Sequence, residues 1–364
     1  MFFIIFPIAL RHHLGYWEGM SHATHLLANP LYVLVTMDVE EEGLFTGLYR
    51  RRNPGVTNIA SLPRLAPLSD ELGFPLTLLC AHSVFTSTAA CRVLETMRDR
   101  HGAEIGAHLH HWSTPPFEDE EEFCKGVPER THRLDQDLLE ARLAHLLEAG
   151  RRFQGQPLTS FRMGRWDLKN ALFPMLQRNG IKADSSICPL RAYRDGADHF
   201  LAPHTPYWAL GRDVPFLEIP ITQIPLFTFL PSLWQRLYQG SEKRDNFHFL
   251  AALSASPFWH KAPIMRLCVR LLRFRGENIL CVFWHSTEIV AGCSPQVPDK
   301  AAEDHVFERI FSFFTWLKSH FNVRGTTMTG LFDQVWKKEQ GKPNGGYGTT
   351  FPDKAELGPV TGDW

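Results

Sequence analysis

The chain has 364 residues, 44% of them hydrophobic and 21% charged, with a formal net charge of −1. That length is ample for a large core, and the balanced charge excludes the strongly basic surface of a general nucleic-acid binder. Seven cysteines without a CxxC pair exclude a disulfide framework and a zinc ribbon and point to a reducing compartment.

In chain order, MFFIIFPIAL comes first. Ten apolar residues are too few to span a bilayer, and no basic region precedes them as a signal peptide requires. Residues 1–30 are read as a leader, disordered or mis-started ahead of Met20, with a short membrane-touching anchor as the competing reading. LYVLVTMDV (31–39) is a β-branched, buried strand, and PLTLLC (75–80) a second. Residues 86–102 form a helix closed by Gly102, and AEIGAHL (103–109) is the third strand. Leu139, Leu143, Leu146 and Leu147 recur at helical spacing over 133–150. TSFRMG (159–164) is a strand and 167–180 a helix. Strands follow at 181–187, 214–222 and 278–286. Val306, Ile310, Phe313, Phe314, Leu317 and Phe321 mark one face of a long helix. A strand near 323–328 leads to a last helix, TGLFDQVWKK. Residues 339–364, rich in Gly, Pro, Thr and Asp without periodicity, are read as a flexible tail.

Alternating strands and helices predict a parallel sheet covered by helices. Seven or eight such units within 31–338 fit one (β/α) barrel, whose chemistry sits at the C-terminal strand ends. The first strand ends in TMDVEEE. Residues two apart on a strand share a face, so Asp38 and Glu40 face the barrel mouth, while Glu41 and Glu42 read as a charged turn. The third strand ends in AHLHHW, where the same parity pairs His108 with His110 and turns His111 away. Two histidines and a carboxylate make a metal site with open positions. Arg162 on the fourth strand can tune a carboxylate, and His285 in FWHSTE can serve as a general acid. GxGxxG, GxxxxGK[ST] and GxSxG are absent.

Over residues 31–335 these motifs, in this order, resemble the polysaccharide deacetylases with the NodB homology fold, a group similar to carbohydrate esterase family 4. The resemblance implies a distorted (β/α) barrel of about seven parallel strands. It implies removal of an acyl group, in the first place acetyl, from an amino sugar or polysaccharide precursor. TMDVEE resembles the first motif, with Asp38 as base and Glu40 as metal ligand; Val39 stands where most members carry a second aspartate. EIGAHLHHW resembles the second motif, with His108 as a ligand. The family's second histidine position is Trp112 here, so the other ligand falls to His110 or His111, with His110 favoured by its facing. FRMGRW resembles the third motif, with Arg162 against the base and Trp166 lining the groove. ADSSI resembles the element that follows, placing Asp184 behind the site, and FWHSTE the last motif, with His285 as general acid. Trp112, His111, Trp166 and Asp184 are grouped on the substrate side. The implied cofactor is a divalent metal, zinc first, with cobalt, iron or manganese as substitutes.

Residues 223–277 form an insert between barrel strands, rich in aromatic and basic residues. Arg266, Arg270 and Arg273 fall on one helical face there. That face reads as an ordinary solvated stripe or as a surface for an anionic glycan or a lipid-linked phosphate. The expectation is a cytoplasmic enzyme of envelope glycan assembly, peripheral to the inner membrane face, that does not bind nucleic acid. Two further readings stand beside it: a C–N hydrolase of a small cyclic amide or ureide, and a non-catalytic carbohydrate-binding barrel.

Overall fold

The computed structural model describes residues 30–211 and 214–340. The leader reading, but for Pro30, and the tail reading beyond Gln340 lie outside the described residues. The strands are β1 (Leu31–Val39), β2 (Leu76–Cys80), β3 (Glu104–Leu109), β4 (Ser160–Met163), β5 (Ala183–Asp184), β6 (Tyr207–Trp208), β7 (Leu217–Glu218), β8 (Gln223–Pro225), β9 (Ala252–Ser254), β10 (Ile279–His285) and β11 (Val323–Gly325). One curled sheet runs β10-β1-β2-β3-β4-β5-β7-β6, with β11 also on β1. Every pairing in it is parallel except β6–β7. Seven consecutive parallel strands give the expected distorted barrel. Past β7 the chain reaches β10 at Thr222, whose N–H donates to the Cys281 carbonyl (2.9 Å) and whose Oγ1 accepts from Cys281 N–H (2.8 Å).

Strand parity sorts side chains into two layers. Val33, Val35 and Met37 of β1, Ala107 and Leu109 of β3, and Leu280, Val282 and Trp284 of β10 belong to the outer core under the helices. Leu34, Leu79, Cys281 and Phe283 belong to an inner cluster closed by Met328, Leu331 and Phe332 of the last helix. Thr36, Asp38, His108, Arg162 and His285 sit at the inward parity, above that apolar floor.

The helices used below are α1 (Thr88–His101), α2 (Gln136–Gln154), α3 (Leu230–Leu237), α4 (Ala262–Phe274), α5 (Lys300–His320) and α6 (Met328–Gln340). Asp135 starts α2 by accepting from Leu138 N–H (3.0 Å). It runs through Gly150 to Gln154, past the expected end, because Gly150 is where the helix meets Leu158; a Cβ there would lie 2.2 Å from Leu158 Cδ1. The helix expected over 167–180 is shorter, Phe173–Arg178 after a 3-10 turn, since Pro174 fits only its first turn. The strands expected at 181–187 and 214–222 shrink to two paired residues each. The insert holds an antiparallel ribbon, β8–β9, besides α3 and α4.

The three arginines of the α4 stripe differ in exposure: Arg270 is exposed and Arg266 half-buried. Arg273 is buried and donates to the Glu277 carbonyl (3.1 Å), while Arg266 and Arg270 lie over the Trp316 ring of α5, at 5.4 and 5.6 Å. Among the described residues no helix is long and apolar enough to cross a membrane.

Candidate metal and acid–base site

Register brings the polar ends together: Asp38 is opposite His285 across β1–β10, and His108 opposite Arg162 across β3–β4. The Glu40 Oε2 atom lies 3.4 Å from both His108 Nε2 and His110 Nε2. One donor atom from each of these three buried residues falls within 4.8 Å of the others, the spacing of a metal site. The donor chemistry fits a divalent ion. His108 Nδ1 is 3.0 Å from the Arg162 carbonyl, which can only accept. Nδ1 must therefore carry the proton, leaving a lone pair on Nε2. His110 Nδ1 is 3.0 Å from Glu41 Oε1, with the same consequence.

Glu41 thus departs from the charged-turn reading. It is fully buried and also accepts from Ser113 Oγ (2.8 Å) and Ser83 Oγ (3.2 Å). Burial pushes its carboxyl up, but His110 and these hydrogen bonds outweigh it and bring the pKa down to about 2. Glu42 accepts from Thr57 Oγ1 (2.6 Å) and Asn58 N–H (2.9 Å), tying the β1 loop to the next segment. Asn58 in turn donates from Nδ2 to the Glu40 carbonyl (3.1 Å) and Ser286 Oγ (2.7 Å), so it fixes the backbone that carries the Glu40 carboxylate.

Arg162 is a buried cation, and each of its three nitrogens donates. It bonds Asp38 Oδ1 (2.6 Å), Thr36 Oγ1 (2.7 Å), Ser185 Oγ (2.9 Å) and the Ser185 carbonyl (2.8 Å). Burial raises the Asp38 pKa, yet Arg162, His108 and His285 together hold it below the usual carboxylate value. With Oδ1 on Arg162, Oδ2 is left facing His285 Nε2 (3.7 Å) and His108 Nε2 (3.8 Å), beyond hydrogen-bond length from either. His285 Nδ1 meets Glu288 Oε2 at 2.8 Å. Burial lowers its pKa, but Glu40, Glu288 and Asp38 overcome that and raise it to about 10.

Trp166 is half-buried; the Arg162 guanidinium lies 5.1 Å from its ring, and it packs edge-on to Phe283. The other three residues grouped on the substrate side are buried. Trp112 is buried and stacked on His110 (4.3 Å, 20°), bracing that ring from behind. His111 donates from Nε2 to the Glu129 carbonyl (2.9 Å), and burial with the nearby Arg142 brings its pKa down to about 3, so it is a neutral anchor for the following loop. Asp184 is buried on the parity opposite to the inward Ala183, where it accepts from Ser186 Oγ (2.6 Å) beside Glu218. Burial raises both carboxyls, and the Asp184 charge raises that of Glu218 further. Sequence reasoning missed Glu41, Glu288 and Asn58. Glu288 alone left a signal, its place three residues after His285 in HSTE.

No protein-family model and no curated protein matches the chain. Among solved structures it is similar to a protein designated a polysaccharide deacetylase from Mycobacterium smegmatis, with a TM-score of 0.53 and 15% identity over 87% of this chain and 93% of that one. It is similar to another with that designation from Pseudomonas aeruginosa, at TM-score 0.50 and 14% identity over 86% and 92%. A 4-alpha-glucanotransferase from Thermococcus litoralis also matches, at TM-score 0.50 and 9% identity, over 84% of this chain and 40% of that one. At such identities the likeness is one of fold, and that fold hosts more than one chemistry.

Proposed function

From the NodB-like fold of the polysaccharide deacetylases, which this chain has, we propose a metal-dependent hydrolase that removes an acyl group, in the first place acetyl, from an amino sugar or polysaccharide precursor in cell-envelope glycan synthesis. The observation that supports it is one arrangement. Asp38 Oδ2 and His285 Nε2 face each other beside the Glu40, His108 and His110 cluster, each with its other atom already fixed by Arg162 or Glu288.

Glu40, His108 and His110 would hold a divalent cation, zinc first; when bound, such an ion acidifies a water and polarises an acyl carbonyl. Asp38 Oδ2 is the free lone pair that takes the proton of the attacking water, and Arg162 keeps that carboxylate ionised and oriented. His285 Nε2 holds the proton that the leaving amine or alcohol needs, and Glu288 fixes its ring. Phe45, edge-on to His285 at 5.0 Å, and Trp166 offer flat apolar faces that suit a sugar ring.

The test is Asp38→Asn assayed on a panel of acetylated glycans and small cyclic amides, scored for released acetate or ammonia. Wild type is expected to release acetate, and Asp38→Asn to lose about 10²–10⁴-fold in kcat with metal retained. Ammonia from a small amide instead would favour the ureide-type hydrolase. Full activity in Asp38→Asn would refute the role given to that carboxylate. Glycan binding without turnover would leave a carbohydrate-binding barrel.

A further inference from the structure

Outside the site, the feature that the mechanism leaves unused is the outer part of the insert. The β8–β9 ribbon continues through Leu226 N–H to the Ala251 carbonyl (2.8 Å), and the segments beyond it carry large apolar side chains in solvent. Phe227, Phe229, Leu233, Leu237, Phe249 and Leu250 are 47–79% exposed. Phe227 and Phe229 are in ring contact (6.0 Å). Phe229, the N-cap of α3, and Leu233 and Leu237 within it follow one another at four-residue spacing. Buried Phe247 and half-buried Trp234 pack together beneath (5.9 Å), so the patch sits on a folded base. Six large apolar side chains in contiguous exposed segments mark a surface that something covers.

Charge says what covers it. The insert, residues 223–277, holds eight lysines and arginines against three acids, Glu242, Asp245 and Glu277, a net of +5 in a chain of net −1. All three acids pair with residues outside the insert, Asp245 with Arg191 (2.9 Å), Glu242 with Arg194 (3.1 Å) and Glu277 with His204 (2.8 Å). Arg236 on α3 and Lys243 after it are exposed and make no ion pair among the described residues. A second copy docked by a two-fold contact would press one basic segment against another. An anionic lipid surface neutralises it while taking up the aromatic and leucine side chains.

We propose that this Phe/Leu patch is a peripheral docking face for an anionic bilayer, with Phe227, Phe229 and Phe249 inserted at the acyl boundary and Arg236 and Lys243 on lipid phosphates. It replaces the α4 arginine stripe as the membrane-facing element and does not depend on the reaction at the barrel mouth.

The test is vesicle flotation of the full chain with phosphatidylcholine alone and with phosphatidylcholine mixed with phosphatidylglycerol, at low and high salt. Phe227→Ser/Phe229→Ser/Phe249→Ser and Arg236→Gln/Lys243→Gln are run beside wild type, with thermal melting as a fold check. Wild type should float with the anionic vesicles. The triple serine variant should lose about tenfold or more in partitioning with its melting unchanged, and the charge variant should lose part of it and become less salt-sensitive. No flotation of wild type, or equal flotation on both vesicle types, overturns the proposal. So does a wild-type dimer that the serine variant turns to monomer without any vesicle binding, since the patch would then belong to a second copy.

Discussion

His285 shows how one side chain is given its task by its neighbours. Its Nδ1 is held by Glu288 at 2.8 Å, so Nε2 is the atom left facing Asp38 and, in the proposed reaction, the substrate. A general acid must keep its proton, so activity falls as pH rises through its pKa. The neighbouring carboxylates raise that pKa to about 10, and a cation at Glu40 moves it back down. Glu288→Gln preserves an acceptor for Nδ1 and removes a negative charge. The alkaline limb of the kcat profile should therefore shift to lower pH, by about one unit, with metal content unchanged; an unmoved limb would mean that His285 is not the acid or that Glu288 does not tune it. The same scale explains what the sequence hid. Glu40, Glu41 and Glu42 are three identical letters, yet one belongs to the candidate metal cluster, one holds His110 and one ties a loop. Parity singles out Glu40, but Glu41 is distinguished only by Ser83 and Ser113, which the fold delivers from other segments.

The strands place these residues by period two, and this was the most readable part of the chain. The strands β1, β3, β4 and β10 carry Asp38, His108, Arg162 and His285 at the inward parity, between apolar residues that pack under the helices. Short strands were less readable: β5, β6 and β7 pair over two residues each, and the β8–β9 ribbon joins segments 25 or more residues apart, so its pairing leaves no local periodicity. One consequence of close strand approach concerns Gly164, just past β4. A Cβ there would lie 2.4 Å from His110 Cδ2 and 2.8 Å from the Leu109 carbonyl. Gly164→Ala should therefore displace the His110 ring, already pinned by Trp112 behind and Glu41 at Nδ1. The expected result is a loss of metal affinity of about 10–100-fold in a protein that still folds. Unaltered affinity by metal titration would show that the ring is not a ligand or that β4 yields at no cost.

For the molecule as a whole, the sheet is a barrel drawn together at Thr222 and Cys281, with an apolar floor from α6 and a polar mouth where the strands end. That plan explains why five weak motifs, far apart in sequence, meet in one place: parallel strands in register deliver their C-terminal ends to one rim. Trp112, His111 and Asp184 lie in those motifs as well, but they are buried and engaged with the His110 ring, the Glu129 carbonyl and Ser186. The central claim is that the mouth is a metal site made by Glu40, His108 and His110. Elemental analysis of the purified protein, beside His108→Ala, His110→Ala and His111→Ala, tests it most directly. About one divalent metal per chain is predicted, lost with His108→Ala and His110→Ala and retained in His111→Ala. Wild type without metal even after reconstitution with zinc, or metal lost with His111 and kept without His110, would contradict it.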